Sequence, residues 1–238
     1  MAKTITKTAE TDKILFVDIE TAPIVYKYND LDEATKKLWD RKWLFSEDID
    51  PGERYLKAGI YAEFAKVVCI SFGNFHNGKF YVKAFAGHDE KHLLSLFAEH
   101  LGTFYNRDTH NLCAHNGKEF DFPFLCRRML INGVPLPKIL SVMGKKPWDV
   151  KFLDTMELWK FGDFKSYTSL DLLAHVFGLP SPKGEIDGSD VARTYWEEND
   201  LEKIKNYCSR DVITLASIYN IMTGQPPIQD EQLIFATV

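Results

Sequence analysis

The segment Ile14-Leu15-Phe16-Val17-Asp18-Ile19-Glu20-Thr21 decides how the chain is read. Its first four residues are apolar and rich in strand formers, the pattern of a short strand buried at the centre of a sheet. The strand ends in two acids, Asp18 and Glu20. Side chains two apart on a strand share a face, so these carboxylates point the same way and repel each other. An apolar strand presents such a pair when something offsets the repulsion, and a divalent cation does so. The spacing by itself discriminates little, because D-x-E recurs at Asp200/Glu202. Taken alone, a loop-exposed pair that caps a helix is the better reading.

Outward from this strand, the chain alternates strand and helix. About residues 25–64 form an insertion without a clear strand. Within it, Asp30 to Phe45 reads as a helix with Leu31, Ala34 and Leu38 at helical spacing behind an aspartate cap. Trp39, Trp43 and nearby lysines leave three roles open for this insertion: covering a cleft, binding substrate, or forming a subunit contact. Strands over Lys66 to Phe75 and Lys79 to Phe85 are joined by Asn77-Gly78, the pair preferred in a type I′ hairpin turn. A helix over Asp89 to Leu101 and a strand over Asn111 to Ala114 follow. Phe120 to Asn132 carries Pro123 near its start and Gly133 just past its end, the asymmetry of a helix, and puts Asp121 at its N-terminus. Thr168 is the expected cap of a helix bearing Leu170, Leu173 and Phe177. The last helix is the clearest, with Leu201, Ile204, Cys208, Val212, Leu215, Tyr219 and Met222 at three- and four-residue spacing. The expected organisation is a polar tail (1–12), one α/β domain (13–222) and a C-terminal extension (223–238).

Composition bounds the function. With 238 residues, 45% apolar and 26% charged, the chain can bury a sizeable core. No apolar run approaches the roughly 18 residues of a membrane helix, so no membrane partner is expected. Cys69, Cys113, Cys126 and Cys208 lie far apart in apolar contexts, which suits buried thiols and a cytoplasmic location. A net charge of −5 argues against holding nucleic acid by bulk electrostatics alone. An acidic enzyme binds phosphates through metal ions instead. The basic pairs Lys36/Lys37, Arg41/Lys42, Arg127/Arg128 and Lys145/Lys146 read as solvated surface charge. Sequence cues for a P-loop or a nucleophile elbow are missing. His88 and His92 are four apart but lack a third ligand, and read as helix-surface histidines.

Two further segments carry chemistry. His115-Asn-Gly-Lys-Glu-Phe-Asp-Phe-Pro-Phe124 follows a strand and opens a helix, which places Asp121 where helical N–H groups favour an anion and lets Asn116 tie the turn. On the last helix, Tyr207 and Asp211 project over successive turns of one face.

Together, FVDIET (Phe16 to Thr21), HNGKEFDFPFL (His115 to Leu125) and YCSRD (Tyr207 to Asp211) resemble the three motifs of the tyrosine-type branch of the DEDD exonucleases. They are nearest the proofreading domain of family-B DNA polymerases, over about residues 13 to 222. The histidine-type branch places a His five residues before the last Asp, where this chain has Asn206. The resemblance implies a ribonuclease H-like fold, an α/β architecture with a five-stranded mixed sheet flanked by helices. It also implies 3′–5′ hydrolysis of single-stranded nucleic acid, DNA favoured over RNA, to nucleoside 5′-monophosphates. Its cofactors are two divalent ions, Mg²⁺ or Mn²⁺. Asp18, Glu20, Asp121 and Asp211 are then the metal ligands and Tyr207 orients the attacking water. Weaker carry-overs are the Thr21 backbone and Ile24 at the terminal nucleotide and Phe120 stacked on a base. Lys145, Lys146 and Lys183 are candidate backbone contacts. A non-catalytic scaffold and an RNA-trimming enzyme remain alternatives. Gln232-Leu-Ile-Phe235 is similar to peptides that dock on sliding clamps, which would link the chain to DNA repair, although an edge strand or packing tail is the better reading of it.

Overall fold

The computed structural model describes residues 11–43, 49–163, 167–181 and 186–236. Its strands are β1 (Ile14–Pro23), β2 (Ala65–His76), β3 (Lys79–Ala86), β4 (Asn111–Ala114), β5 (Leu153–Asp154) and β6 (Leu233–Phe235). They form one sheet in the order β5-β4-β1-β2-β3-β6. Only β2 runs against its neighbours; β1 with β4, β4 with β5 and β3 with β6 are parallel. The order β3-β2-β1-β4-β5 with β2 reversed is the mixed sheet of a ribonuclease H-like fold. The sixth strand, which the five-stranded expectation lacked, is the Leu233–Phe235 tail laid along β3 as an edge strand. The β2–β3 hairpin turns at Asn77 and Gly78 with φ of 50° and 76°, the left-handed pair a type I′ turn requires.

The helices are α1 (Glu33–Lys42), α2 (Pro51–Tyr55), α3 (Glu90–Phe104), α4 (Asp121–Ile131), α5 (Thr155–Lys160), α6 (Leu170–Val176), α7 (Val191–Arg193) and α8 (Leu201–Met222). A π-helical turn, Thr194–Glu198, follows α7. None is long and apolar enough to cross a membrane among the described residues.

The period of two along β1 sorts the layers. Leu15, Val17 and Ile19 face α3 and α4, packing in one cluster with Leu93, Phe97, Leu125 and Met129. Ile14 and Phe16 face α8, packing with Val212, Leu215 and Ala216. Every buried apolar side chain of this size stabilises the fold by about 1.5–3 kcal/mol. The alternation therefore fixes the register, since a one-residue slip would turn the core set outward.

Several expectations are corrected. The strand carrying the acids does not stop at them but runs on to Pro23, with a bulge between Glu20 and Thr21. Ser169, not Thr168, caps α6 through the Leu172 amide. In α1, capped by Asp32, the buried residue is Trp39 and Leu38 is 58% exposed. The larger aromatic surface takes the inward position. Trp39 packs on Tyr55, Phe64, Leu31 and Ala58, so it is unavailable for stacking on a base. Arg128 is not surface charge: it is 7% exposed and forms a two-pronged ion pair with Glu90, at 2.6 and 2.8 Å. His88 is bonded to the Tyr195 hydroxyl at 2.9 Å, so it is more than a helix-surface histidine.

Candidate active site

Even positions of β1 face α8, so Asp18 and Glu20 point at the same helix that covers Ile14 and Phe16. Cys208 and Asp211 lie one turn before Val212 and Leu215 respectively, with Tyr207 one turn before Asp211, and they meet the strand at those acids. The Cys208 thiol donates to Asp18 Oδ2 at 3.2 Å and lies 3.4 Å from the Asp18 carbonyl oxygen. The same sulfur is hydrogen-bonded to the Cys69 thiol, on the β2 residue paired with Glu20. One oxygen or sulfur atom from each of Asp18, Glu20 and Cys208 falls within 4.8 Å of the others. The Tyr207 hydroxyl donates to the Asp211 carboxylate.

Asp121 arrives from the other layer. β4 pairs with β1 only as far as Phe16 opposite Cys113, which leaves the edge of β1 open beyond it. There the Ile19 amide donates to Asp121 Oδ1 at 3.2 Å. Asp121 is the first residue of α4, so the end of the short strand and the start of the helix together set its place.

The cluster is acidic and largely dry. Glu20, Asp121 and Asp211 are 8%, 4% and 7% exposed, and Asp18 forms the partly open mouth. Burial pushes the Asp18 and Glu20 carboxyls well above the usual carboxylate range, and neighbouring acids push them further: Asp211 and Asp121 act on Asp18, and Asp18 and Asp211 on Glu20. Burial lifts Asp121 to about 7 even though its own amide and that of Ile19 favour its charged form. Burial and then Asp211, Glu20 and Asp18 raise the Tyr207 phenol, which stays protonated at ordinary pH. Among the described residues none donates a hydrogen bond to the Glu20 carboxylate.

Two contributors escaped the sequence reading. Asp154, 3% exposed at the end of β5, accepts from the amides of Asn116, Lys118 and Met156 at 2.9, 3.1 and 2.9 Å. It thus clamps the turn before α4 and caps α5 at once. The capping pattern Asp154-Thr-Met-Glu157 was the available signal. Beside it, His115 bridges the Thr155 hydroxyl and the Thr168 carbonyl, each at 2.8 Å. Cys208 is the second, hidden inside YCSRD as a residue of the apolar stripe.

The remaining site expectations scatter. Asn116 takes a left-handed φ of 61° and its carbonyl accepts from Phe120, so it ties the turn as expected. Phe120 lies partly buried against Phe124. The Thr21 hydroxyl donates to the Gly59 carbonyl and Ile24 packs into the insertion core, so both side chains hold the insertion. Lys145 lines a cavity shared with Asn111, which pairs with Ile14, four residues before Asp18. Lys146 lies over the Trp148 ring at 5.3 Å. Neither lysine belongs to the carboxylate cluster, and Lys183 lies outside the described residues.

Comparison with known proteins follows this geometry. No curated protein matches the sequence. Among solved structures the chain is similar to the family B DNA polymerase from the hyperthermophilic archaeon Pyrobaculum calidifontis, with 19% identity and a TM-score of 0.48 over 90% of this chain. The match spans 26% of that polymerase chain. A family model matches residues 58–224, a span that holds Asp121, Tyr207 and Asp211 but starts after Asp18 and Glu20. By that match, which covers well over half of its residues, the chain belongs to the family described as predicted 3′–5′ exonucleases related to the exonuclease domain of PolB.

Proposed function

We propose that this protein hydrolyses the 3′-terminal phosphodiester of single-stranded nucleic acid, DNA in preference to RNA, with two divalent ions, Mg²⁺ or Mn²⁺, held by Asp18, Glu20, Asp121 and Asp211. One observation carries the reading: acids from three separate segments meet in one buried cluster and raise one another's pKa. The donor set fits hard cations, which take carboxylate oxygens. Glu20, buried and without a donor among the described residues, fits the same demand. Bound there, the ions would lower the pKa of the attacking water and stabilise the leaving oxygen. Each other task falls to the chain. Asp18 sits where β1 and α8 converge, with Oδ2 engaged by Cys208 and Oδ1 left without that donor. Tyr207, protonated and with its one hydroxyl hydrogen given to Asp211, orients water by accepting from it through the phenol oxygen and does not serve as a base. Phe120 at the start of α4 offers an aromatic face to a terminal base, a contact that tolerates any sequence.

Oligonucleotides labelled at the 5′ end test this. Stepwise shortening from the 3′ end with Mg²⁺ or Mn²⁺, releasing nucleoside 5′-monophosphates, is expected. Loss of signal from the 5′ end first, or no cleavage of DNA or RNA with either ion, overturns it.

A second expectation concerns pH. Asp18, Glu20 and Asp121 bind protons more tightly folded than unfolded, so they favour the folded state most below their unfolded values, near 4. That contribution is lost as pH rises toward about 7, the folded value of Asp121. The melting temperature of the metal-free protein should therefore receive a falling contribution from these groups between about pH 5 and pH 8. The gain on adding Mn²⁺ should grow over the same interval, since cation and proton compete for the same oxygens. A Mn²⁺ gain that is equal at both ends, read by differential scanning fluorimetry, contradicts the assignment.

A further inference from the structure

We propose that a basic cleft at the far end of the sheet, with the groove along α4 that leads to it, holds the sugar–phosphate backbone of a single strand upstream of its 3′ end. The proposal deepens the exonuclease reading and rests on it for the identity of the strand.

The cleft, about 400 Å³, is lined by Arg107, Lys138, Lys145 and Lys151 and by a single acid, Asp108. That acid is tied to Lys138 at 2.8 Å, which leaves a local excess of three cations on a chain of net charge −5. His110, also in the wall, has its Nδ1 buried without a partner. Clustered cations on an otherwise acidic protein attract a polyanion locally while the molecule as a whole does not.

A course along the helix that starts at Asp121 favours nucleic acid over an acidic protein. The cleft shares Lys145, Val142 and Phe152 with a second cavity of about 630 Å³ along the outer face of α4. Its floor includes Cys126, Leu130 and Met143; Arg127 and Lys145 stand among its lining, with Glu119 and with Lys118 tied to Glu157 at 2.6 Å. Leu130 and Met143 are 54% and 78% exposed, an apolar surface open for base faces. Lys118 lies three residues before Asp121, so the groove begins beside the N-terminus of α4, the helix whose first residue is Asp121. An α4 of 11 residues spans about 16 Å, so a strand ending at Asp18 needs several nucleotides to reach the cleft. Gly144, with φ of 78°, makes the turn that sets Lys145 where the two cavities join. An apolar floor along the groove and a cationic cleft at its end are the two elements of a surface that holds single strands without reading their sequence.

The test is fluorescence anisotropy in EDTA, which prevents turnover, using oligothymidylate of about 20 residues and the dinucleotide. For Lys145→Glu with Lys151→Glu, the dissociation constant of the long strand should rise about 10-fold or more. The slope of its logarithm against log salt should shrink by about 1.4, for two lost phosphate contacts. The dinucleotide constant should change less than about 2-fold, since it cannot reach the cleft. Lys145→Ala with Lys151→Ala should give an intermediate effect, and carries the test if charge reversal disturbs folding. Equal losses for both lengths, or none for the long strand in either pair, overturn the proposal. Displacement of the long strand by inorganic triphosphate at equal phosphate concentration would instead assign a small-anion site, and displacement by polyglutamate an acidic protein; both overturn it. If the unaltered protein cleaves nothing but binds the long strand through these lysines, the exonuclease reading fails and the strand-binding surface stands. Cleavage with long-strand affinity indifferent to them has the opposite meaning.

Discussion

Asp18→Asn is expected to reduce metal-dependent cleavage by on the order of 10³-fold or more while making the metal-free protein more stable. The two effects have one cause. Asp18 lies among Asp211, Asp121 and Glu20, with burial and like charge both raising the cost of its negative form. Asparagine keeps the shape and an oxygen acceptor for the Cys208 thiol, and removes the charge that repels its neighbours. Relief of roughly 1 kcal/mol would raise the melting temperature by about 2–4 °C in a chain of this size. The same substitution removes an oxygen anion that a cation needs, and Mn²⁺ should no longer raise the melting temperature. Tyr207→Phe makes the contrast: it loses one hydroxyl donated to Asp211 and leaves every carboxylate in place. Its expected loss is about 10–100-fold, the usual size for a partner that orients a group. An Asp18→Asn protein that is less stable without metal, or that loses no more activity than Tyr207→Phe, rejects the account.

Why was so much of this site legible, and the rest not? Apolar alternation marks β1, and the period of two alone puts Asp18 and Glu20 on the α8 face. The stripe through Cys208, Val212 and Leu215 likewise orients α8, which brings Asp211 and Tyr207 to the strand. These are local periodicities, and the packing obeys them because a shifted strand or a rotated helix would turn its buried apolar set outward. Beyond its local capping pattern Asp154 gave no sign of its role at the site, because β5 has two residues, too few for any period, and its partners at Asn116 and Lys118 are 38 and 36 residues away. Arg128 looked like half of a surface basic pair because its partner Glu90 lies 38 residues earlier. Trp39 was read one position off, since Leu31, Ala34 and Leu38 also satisfy helical spacing and only the surrounding rings of Tyr55 and Phe64 decide between the faces. In each case the missing information is a contact between distant segments, which no window of sequence contains.

The Glu90–Arg128 pair gives the largest expected effect on folding. Both side chains are buried, at 8% and 7% exposure, and all of the connections they make cross between elements. Glu90 Oε1 accepts from the Val67 amide on β2 at 2.8 Å and from Arg128 Nε at 2.8 Å. Its other oxygen accepts from Arg128 at 2.6 Å and from Asn132 at 2.9 Å. Arg128 reaches on to the Ala62 carbonyl at 2.8 Å. Glu90→Ala leaves a guanidinium buried without its anion and the Val67 amide without an acceptor, a loss of about 3–5 kcal/mol. For a chain of this length that lowers the melting temperature by about 6–20 °C. Glu90→Met together with Arg128→Met should recover part of it, because matched apolar side chains need no desolvated charge. Recovery stays incomplete, since the Val67 amide and the Ala62 carbonyl remain unpaired at about 1–3 kcal/mol each. Val67 is the register partner of Thr21, and Thr21 holds the insertion through Gly59, so the pair also secures the strand just past Glu20. The double substitution should therefore raise the Mn²⁺ concentration needed for half-maximal stabilisation, even at temperatures where the protein is fully folded. A double variant as stable as the parent, with unchanged Mn²⁺ response, would reduce the pair to a replaceable packing contact.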